Sequence, residues 1–247
     1  MFFEFKGLKI YYEKIGEGQP IIFLHGWGCS SNVFKNISKV LSKKYCIYLV
    51  DFPGFGKSLE PDFLIDVKGM ADLVLSFITY FDIDMPIVVG HSYGGRVASE
   101  YASKNKNISK LILIDSAGIK SFKFSKFIKI KIFKFKKMFY KLTKNLMKYN
   151  NLLLTSGSDD YINSSMIKKK MLVAAVNYDQ RKVFKRIRCD TLIIWGINDN
   201  STPYKDGRKI HRLINNSEFV VVPDAGHFPF LENYIFFIKV LKSYLGV

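Results

Sequence analysis

The stretch from Pro86 to Gly95, PIVVGHSYGG, limits the possible folds more than any other part of the chain. A short apolar run, Ile87 to Val89, stops at Gly90. His91, Ser92 and Tyr93 follow, and the paired Gly94 and Gly95 open a helical pattern through Arg96, Ala98 and Tyr101. This is a G-x-S-x-G strand-turn-helix signature. A serine lifted on a sharp turn between a buried strand and a helix sits in strained backbone, so the positions two before and two after it must be small. Gly90 and Gly94 meet that need. Such a turn exposes the Ser92 hydroxyl, aims a helix N-terminus at the reacting centre and frees the Tyr93 backbone N–H for a developing oxyanion. A glycine-rich turn with an incidental serine is the plain alternative, and the strand before and helix after weigh against it.

A serine at its free pKa is a poor nucleophile, so this reading requires a base and an acid that orients it. Asp199 follows the apolar strand Thr191 to Trp195 in TLIIWGINDNSTP, and His227 follows the strand Phe219 to Val222 in FVVVPDAGHFPF. Both lie just past the carboxyl end of a strand, where open α/β sheets place their ligands. Asp115, at the end of the strand Leu111 to Ile114 in KLILIDSAG, is a second candidate for the acid.

With these motifs in order, the chain resembles the α/β-hydrolase family. Ser92, Asp199 and His227 match the family's order of nucleophile, acid and histidine. HGWG at His25 to Gly28 follows the strand Ile21 to Leu24, where the family supplies its second oxyanion N–H, here that of Trp27. DFPGFGKS, Asp51 to Ser58, resembles the family's turn after the next strand. The resemblance implies an α/β fold: a mostly parallel central sheet, helices on both faces and a helical cap insertion. It divides the chain into a core of residues 1–118 and 186–247 and a cap of residues 119–185. It favours Asp199 over Asp115, since the family commonly places the acid after the following strand.

The same resemblance implies hydrolysis of a small-molecule ester or related acyl substrate, with Trp27 and Tyr93 N–H groups as the oxyanion hole and no metal or organic cofactor. Serine as nucleophile disfavours the haloalkane dehalogenases and epoxide hydrolases, which use aspartate. Carboxylesterases, thioesterases, carbon-carbon bond hydrolases and acyltransferases all remain open, as does a non-catalytic binding protein or receptor on the same fold.

The formal net charge of +17 usually invites a nucleic-acid reading. Its distribution argues otherwise, because no acidic residue stands between Ser116 and Ser158, where Lys123, Lys126, Lys129, Lys134, Lys137, Lys141, Lys144 and Lys148 alternate with apolar residues. Phe124, Phe127, Ile128, Ile132, Phe135, Phe139, Leu142 and Leu146 recur every three or four residues and form one apolar helical stripe, with the lysines mostly opposite. Such a cap selects the substrate by its lining. Its lysines have two readings. Compositional bias explains them, as Lys, Asn, Ile and Phe are abundant throughout. Steering of an acidic acyl carrier protein also explains them, since the chain resembles pimeloyl-carrier-protein methyl ester esterases in size and triad. A basic amphipathic segment can also lie on anionic membranes. No nucleic-acid recognition motif is present.

Three widely spaced cysteines, Cys29, Cys46 and Cys189, lack metal or CxxC spacing and point to a reducing, cytoplasmic setting. Glu4 and Lys6 come too early for an apolar signal core, and no run approaches the roughly 18 apolar residues of a membrane span. The GKS at Gly56 to Ser58 is not a phosphate loop, because Asp51 stands where the spacing needs glycine. No G-x-G-x-x-G is present. His25 is expected to order the oxyanion loop, His91 to pack in its loop and His211 to lie on a helix surface, while Cys29 has no partner that would make it a nucleophile.

Along the rest of the chain, Phe2 to Phe5 and Leu8 to Tyr12 read as a hairpin around Gly7, and Tyr45 to Val50 as a buried strand. Helices are expected over Ser31 to Leu41, Val67 to Phe81, from Pro203 through Leu213, and over Phe230 to Leu245.

Overall fold

In a computed structural model, which describes residues 1–120, 148 and 164–247, the apolar runs marked as strands form one eight-stranded sheet. The strands are β1 (Phe2–Phe5), β2 (Leu8–Ile15), β3 (Gln19–Leu24), β4 (Tyr45–Val50), β5 (Ile87–His91), β6 (Lys110–Ile114), β7 (Asp190–Gly196) and β8 (Ser217–Val222). Their order is β1-β2-β4-β3-β5-β6-β7-β8. The β1–β2 hairpin and its join to β4 are antiparallel, and every pairing from β4 to β8 is parallel. At the hairpin, Phe5 pairs with Leu8, so Lys6 and Gly7 are the whole turn; both have positive φ, 50° and 78°. A two-residue turn of that kind matches the twist of the flanking strands, and glycine takes the second position without strain.

The helices are α1 (Lys35–Leu41), α2 (Val67–Tyr80), α3 (Tyr93–Ala102), α4 (Met166–Asn177), α5 (Arg181–Phe184), α6 (Tyr204–Leu213), α7 (Pro229–Glu232) and α8 (Tyr234–Leu245). Parallel strands need crossovers, and these helices cover both faces of the sheet, so β3, β5, β6 and β7 are apolar and buried on both sides. Alternate residues serve alternate cores. Leu24, Val88, Leu113 and Trp195 pack with Met70, Phe77, Val97 and Tyr101 of α2 and α3, and with Ile210 of α6. On the opposite face Phe23, Val89, Ile114 and Ile194 pack with Phe34, Ile37, Phe230 and Phe237. A one-residue slip in any of these strands would exchange its two cores, which is why the register is strongly specified.

The ends of elements differ in detail from the sequence expectation. The helix expected from Ser31 begins as a 3-10 turn, Ser31–Phe34, before α1. The closing helix is broken in two. Asn233, at φ −131° and ψ 64°, leaves the helical region; its side chain accepts from the Phe236 N–H and donates to the Pro223 carbonyl, starting α8 afresh. His211 is half-buried, not a surface group: it shares a hydrogen bond with the Ser217 hydroxyl and stacks on Phe219. Within 119–185, α4 and α5 are the described helices, and the expected apolar stripe from Phe124 to Leu146 lies outside the described residues. Among the described residues, no helix is long and apolar enough to cross a membrane.

Candidate active site

The carboxyl ends of β3, β5, β6, β7 and β8 converge, because register neighbours run Leu24 to Gly90, His91 to Ile114, Ile114 to Ile194 and Gly196 to Val222. The loop after β5 is a single sharp turn. Ser92 sits at φ 52° and ψ −109°, a conformation that costs a side-chain-bearing residue on the order of 1–3 kcal/mol. The strain is held by four backbone hydrogen bonds. Ser92 N–H donates to the Ile114 carbonyl, and its own carbonyl accepts from Gly95, Arg96 and Ala117. A Cβ on Gly94 would overlap the Leu24 carbonyl, and one on Gly90 the Gly94 carbonyl. Strand, turn and helix therefore meet at this distance only with glycine at both positions.

Ser92 Oγ lies 3.0 Å from His227 Nε2, and His227 Nδ1 lies 2.7 Å from Asp199 Oδ2. With Nδ1 donating to the carboxylate, Nε2 is left to accept from the serine hydroxyl. Asp199 is nearly inaccessible and heavily bonded: Oδ1 accepts the Ser201 and Thr202 N–H groups, and Oδ2 accepts the Thr202 hydroxyl at 2.6 Å. Burial alone would raise its pKa; the hydrogen bonds from His227 and Thr202, with the neighbouring Asp115 carboxyl acting in the same direction, outweigh burial and hold it at about 2. Asp199 is thus a stable anion facing the imidazole.

The loop carrying His227 is clamped on both sides. Glu232, in the first turn after it, accepts from the Gly226 and Phe228 N–H groups, and the His227 carbonyl lies 2.7 Å from His91 Nε2. Burial, then the neighbouring His227, lower the His91 pKa to about 3, so the ring is neutral and its Nε2–H donates to that carbonyl. The His91 ring packs against His227, Phe228 and Phe230, and its Nε2 also fixes the backbone of His227.

Tyr93 is the first residue of α3, so its N–H has no helical acceptor. Among the described residues no acceptor takes the N–H of Tyr93 or of Trp27. The HGWG loop is pinned by His25, whose Nε2 accepts from Phe52 N–H at 2.9 Å while Nδ1–H donates to the Gly26 carbonyl at 2.7 Å. Burial lowers the His25 pKa to about 4, which keeps it in that neutral tautomer. Gly26 packs directly on His91 and Ser92, where a Cβ would be 2.9 Å from the His91 ring and 3.4 Å from Ser92 Cβ. The Trp27 ring meets Tyr93 and Phe55 edge-on at 5.2 and 4.9 Å and forms an apolar wall. Lys168 of α4 reaches that wall, bonding the Gly54 carbonyl and Glu60 at 2.9 Å each.

The DFPGFGKS turn is a structural knot. Asp51 accepts from Ser31 N–H and Lys57 N–H, and the Gly54, Phe55 and Ser58 N–H groups of the turn bond backbone carbonyls, so these amides are already engaged. Asp115 lies beside Asp199, not in its place: the imidazole bonds Asp199. The roles of Thr202, Glu232 and His91 were not evident from the sequence. An Asx turn at Asp199 in NDNSTP, with serine and threonine two and three residues on, is the one signal that points to Thr202. A groove of about 820 Å³ lies at the opposite ends of the strands, beside Lys110, Asp190, Ser217 and Tyr244.

A model of the Alpha/beta hydrolase family matches residues 21–239. The AB hydrolase superfamily protein YisY of Bacillus subtilis is 29% identical, the match covering 91% of each chain. A pimeloyl-[acyl-carrier protein] methyl ester esterase of Legionella pneumophila is 27% identical over 96% of this chain and 100% of that protein. Among solved structures, an esterase from Exiguobacterium antarcticum superposes with a TM-score of 0.76 at 27% identity, covering 98% of this chain and 97% of the other.

Proposed function

The chain belongs to the alpha/beta hydrolase family, and on that footing we propose that it is a serine hydrolase that cleaves a carboxylic ester or closely related acyl bond through Ser92, His227 and Asp199. The observation that carries this reading is the unbroken relay from Ser92 Oγ through His227 to Asp199, at 3.0 and 2.7 Å. An idle receptor would have no need of a strained serine aligned on a base.

In this reading His227 Nε2 takes the Ser92 proton as Oγ adds to the substrate carbonyl carbon. The oxyanion forms against the Trp27 and Tyr93 N–H groups, which have no protein acceptor among the described residues. His227 then gives its proton to the departing alkoxide as the carbon–oxygen bond breaks, leaving an acyl ester on Ser92. Water repeats the sequence: it loses a proton to His227, adds to the acyl carbon and releases the acid as Oγ recovers the proton. Asp199 keeps the imidazole in the required tautomer and stabilises its charged form throughout. No step requires a metal or organic cofactor, and the reading places the enzyme in the cytoplasm, with residues 119–185 as a cap over the serine.

A carrier-borne acyl chain is the finer substrate reading. It draws on relatives named as pimeloyl-[acyl-carrier protein] methyl ester esterases and on the exposed Lys170, Arg181, Lys182, Lys185, Arg186 and Arg188. Those cations, with the lysines of 120–148, suit an acidic carrier protein and steer it best at low salt. Cleavage of a carrier-linked methyl ester no faster than the free methyl ester would remove this finer reading.

The test of the main reading is hydrolysis of p-nitrophenyl esters from acetate to decanoate by wild type and Ser92→Ala. Turnover in the wild type that vanishes in the variant is expected. Equal rates in the two proteins would overturn it.

A further inference from the structure

Asp115 is fully buried at the end of β6, in left-handed backbone at φ 43°. Aspartate tolerates that conformation, and its Oδ1 accepts the Gly196 N–H at 3.0 Å, tying the end of β6 to that of β7. This accounts for half of the carboxyl group. Oδ2 is buried without a hydrogen-bond partner. An oxygen of Asp115, an oxygen of Asp199 and a ring nitrogen of His227 all lie within 4.8 Å of one another.

Two carboxylates this close in a dry site cannot both hold their charge cheaply; one of them keeps a proton. Asp199 has the Ser201 and Thr202 amides, the Thr202 hydroxyl and His227 to stabilise its charge, whereas Asp115 has a single amide. A cation among the three groups is a poorer account, because both oxygens of Asp199 and Nδ1 of His227 are already engaged.

We propose that Asp115 is a positioning residue: a neutral carboxylic acid that directs its Oδ2–H at Asp199 and so holds that carboxylate against His227. The proposal rests on the hydrolase reading of Ser92, His227 and Asp199. Burial, then hydrogen bonding to Asp199 and repulsion from it, push the Asp115 pKa up to about 10 against the opposing Gly196 amide, and Glu232 adds in the same direction. The groups facing Asp115 are Asp199 and Thr202 from the loop after β7 and His227 and Glu232 from the segment after β8; the Thr202 hydroxyl also lies 3.0 Å from the Asp115 carbonyl.

The first test needs no turnover. A difference infrared spectrum of wild type against Asp115→Asn at pH 7 is expected to show the carbonyl stretch of a protonated carboxyl in the wild type alone. Identical spectra in that region would overturn the proposal, whatever the ester panel shows, while the panel by itself decides the hydrolase reading. The second test is kinetic. Asparagine keeps the amide acceptor and a donor toward Asp199, so Asp115→Asn is expected to stay within about threefold of wild type at pH 7, while Asp115→Ala loses about tenfold in kcat/KM. Wild-type activity falls as pH passes about 10 and the proton is lost, and Asp115→Asn lacks that fall. Equal losses in the Asn and Ala variants, or an alkaline limb unchanged in Asp115→Asn, would overturn the proposal.

Discussion

His91 Nε2 lies 2.7 Å from the backbone carbonyl oxygen of His227, whose imidazole reaches Ser92 from the same residue. The His91 ring is itself wedged against Phe228 and Phe230 at 4.8 and 5.1 Å. The residue next to the nucleophile in sequence therefore fixes the backbone of the base. His91→Phe keeps an aromatic ring in the wedge and removes the donor. It is expected to lower kcat by roughly three- to tenfold, the worth of one neutral hydrogen bond, with KM little changed. Steady-state kinetics on a short ester decide this, and a rise in KM alone would contradict it.

Asp199 and Thr202 separate charge from support. Asp199→Asn keeps the shape but presents an amide to Nδ1, which favours the wrong imidazole tautomer; a loss of about 10³ to 10⁴ in kcat is expected. Thr202→Val removes one donor to Asp199 Oδ2 and leaves the Ser201 and Thr202 amides on Oδ1, so its loss is expected to be about tenfold. Side-by-side kcat values check the ranking, and a Thr202→Val loss as large as that of Asp199→Asn would refute it.

The sheet and Ser92 were legible because their signals are local. Apolar runs of strand length and glycines at positions 90 and 94 depend on neighbours in sequence, whereas Asp199 and His227 were picked out by the order of motifs that the family resemblance supplied. What the sequence did not reveal are contacts that cross it: Glu232 onto the amides around His227, His91 onto the His227 carbonyl, and the pairing of Asp115 with Asp199 in place of a choice between them. The break at Asn233 was hidden for a different reason. Phe230, Phe237 and Leu241 continue an apolar helical spacing across it, and only the side-chain cap at Asn233 marks the restart.

Two imidazoles are buried in their neutral form, which makes the fold sensitive to acid. His25 and His91 have folded-state pKa values of about 4 and 3, below the ordinary 6.5. The unfolded chain binds these protons first, so stability falls as pH drops from about 6.5 toward those values, by up to about 1.4 kcal/mol per pH unit for each group. Asp199, lowered to about 2, adds its own loss between about 4 and 2. Measured in an Asp115→Asn background, which removes the opposing titration of that carboxyl, urea midpoints at pH 7, 5.5 and 4.5 are expected to decline steadily, with a shallower decline when His91→Phe is added. A flat profile down to pH 4.5 would show that these histidines titrate in the folded protein.

Asp115 gives a stability signature of the opposite kind. A carboxyl whose folded pKa is raised from about 3.8 to about 10 is protonated in the folded state and ionised in the unfolded one throughout that interval. The folded state then binds the extra proton, so this group's contribution is fully present below about pH 3.8 and is lost as pH rises toward about 10. Asparagine at position 115 does not titrate. The stability of Asp115→Asn relative to wild type should therefore grow with pH between 5 and 9, at a slope on the order of 1 kcal/mol per pH unit. All other titrating groups are shared by the two proteins, so the difference between their pH profiles isolates Asp115 to the extent that Asp199 and His227 keep their surroundings. Thermal or urea unfolding of the pair at pH 5, 7 and 9 measures it, and a difference that does not change with pH would mean that Asp115 is ionised in the folded enzyme and that Asp199 and Asp115 carry their two charges side by side.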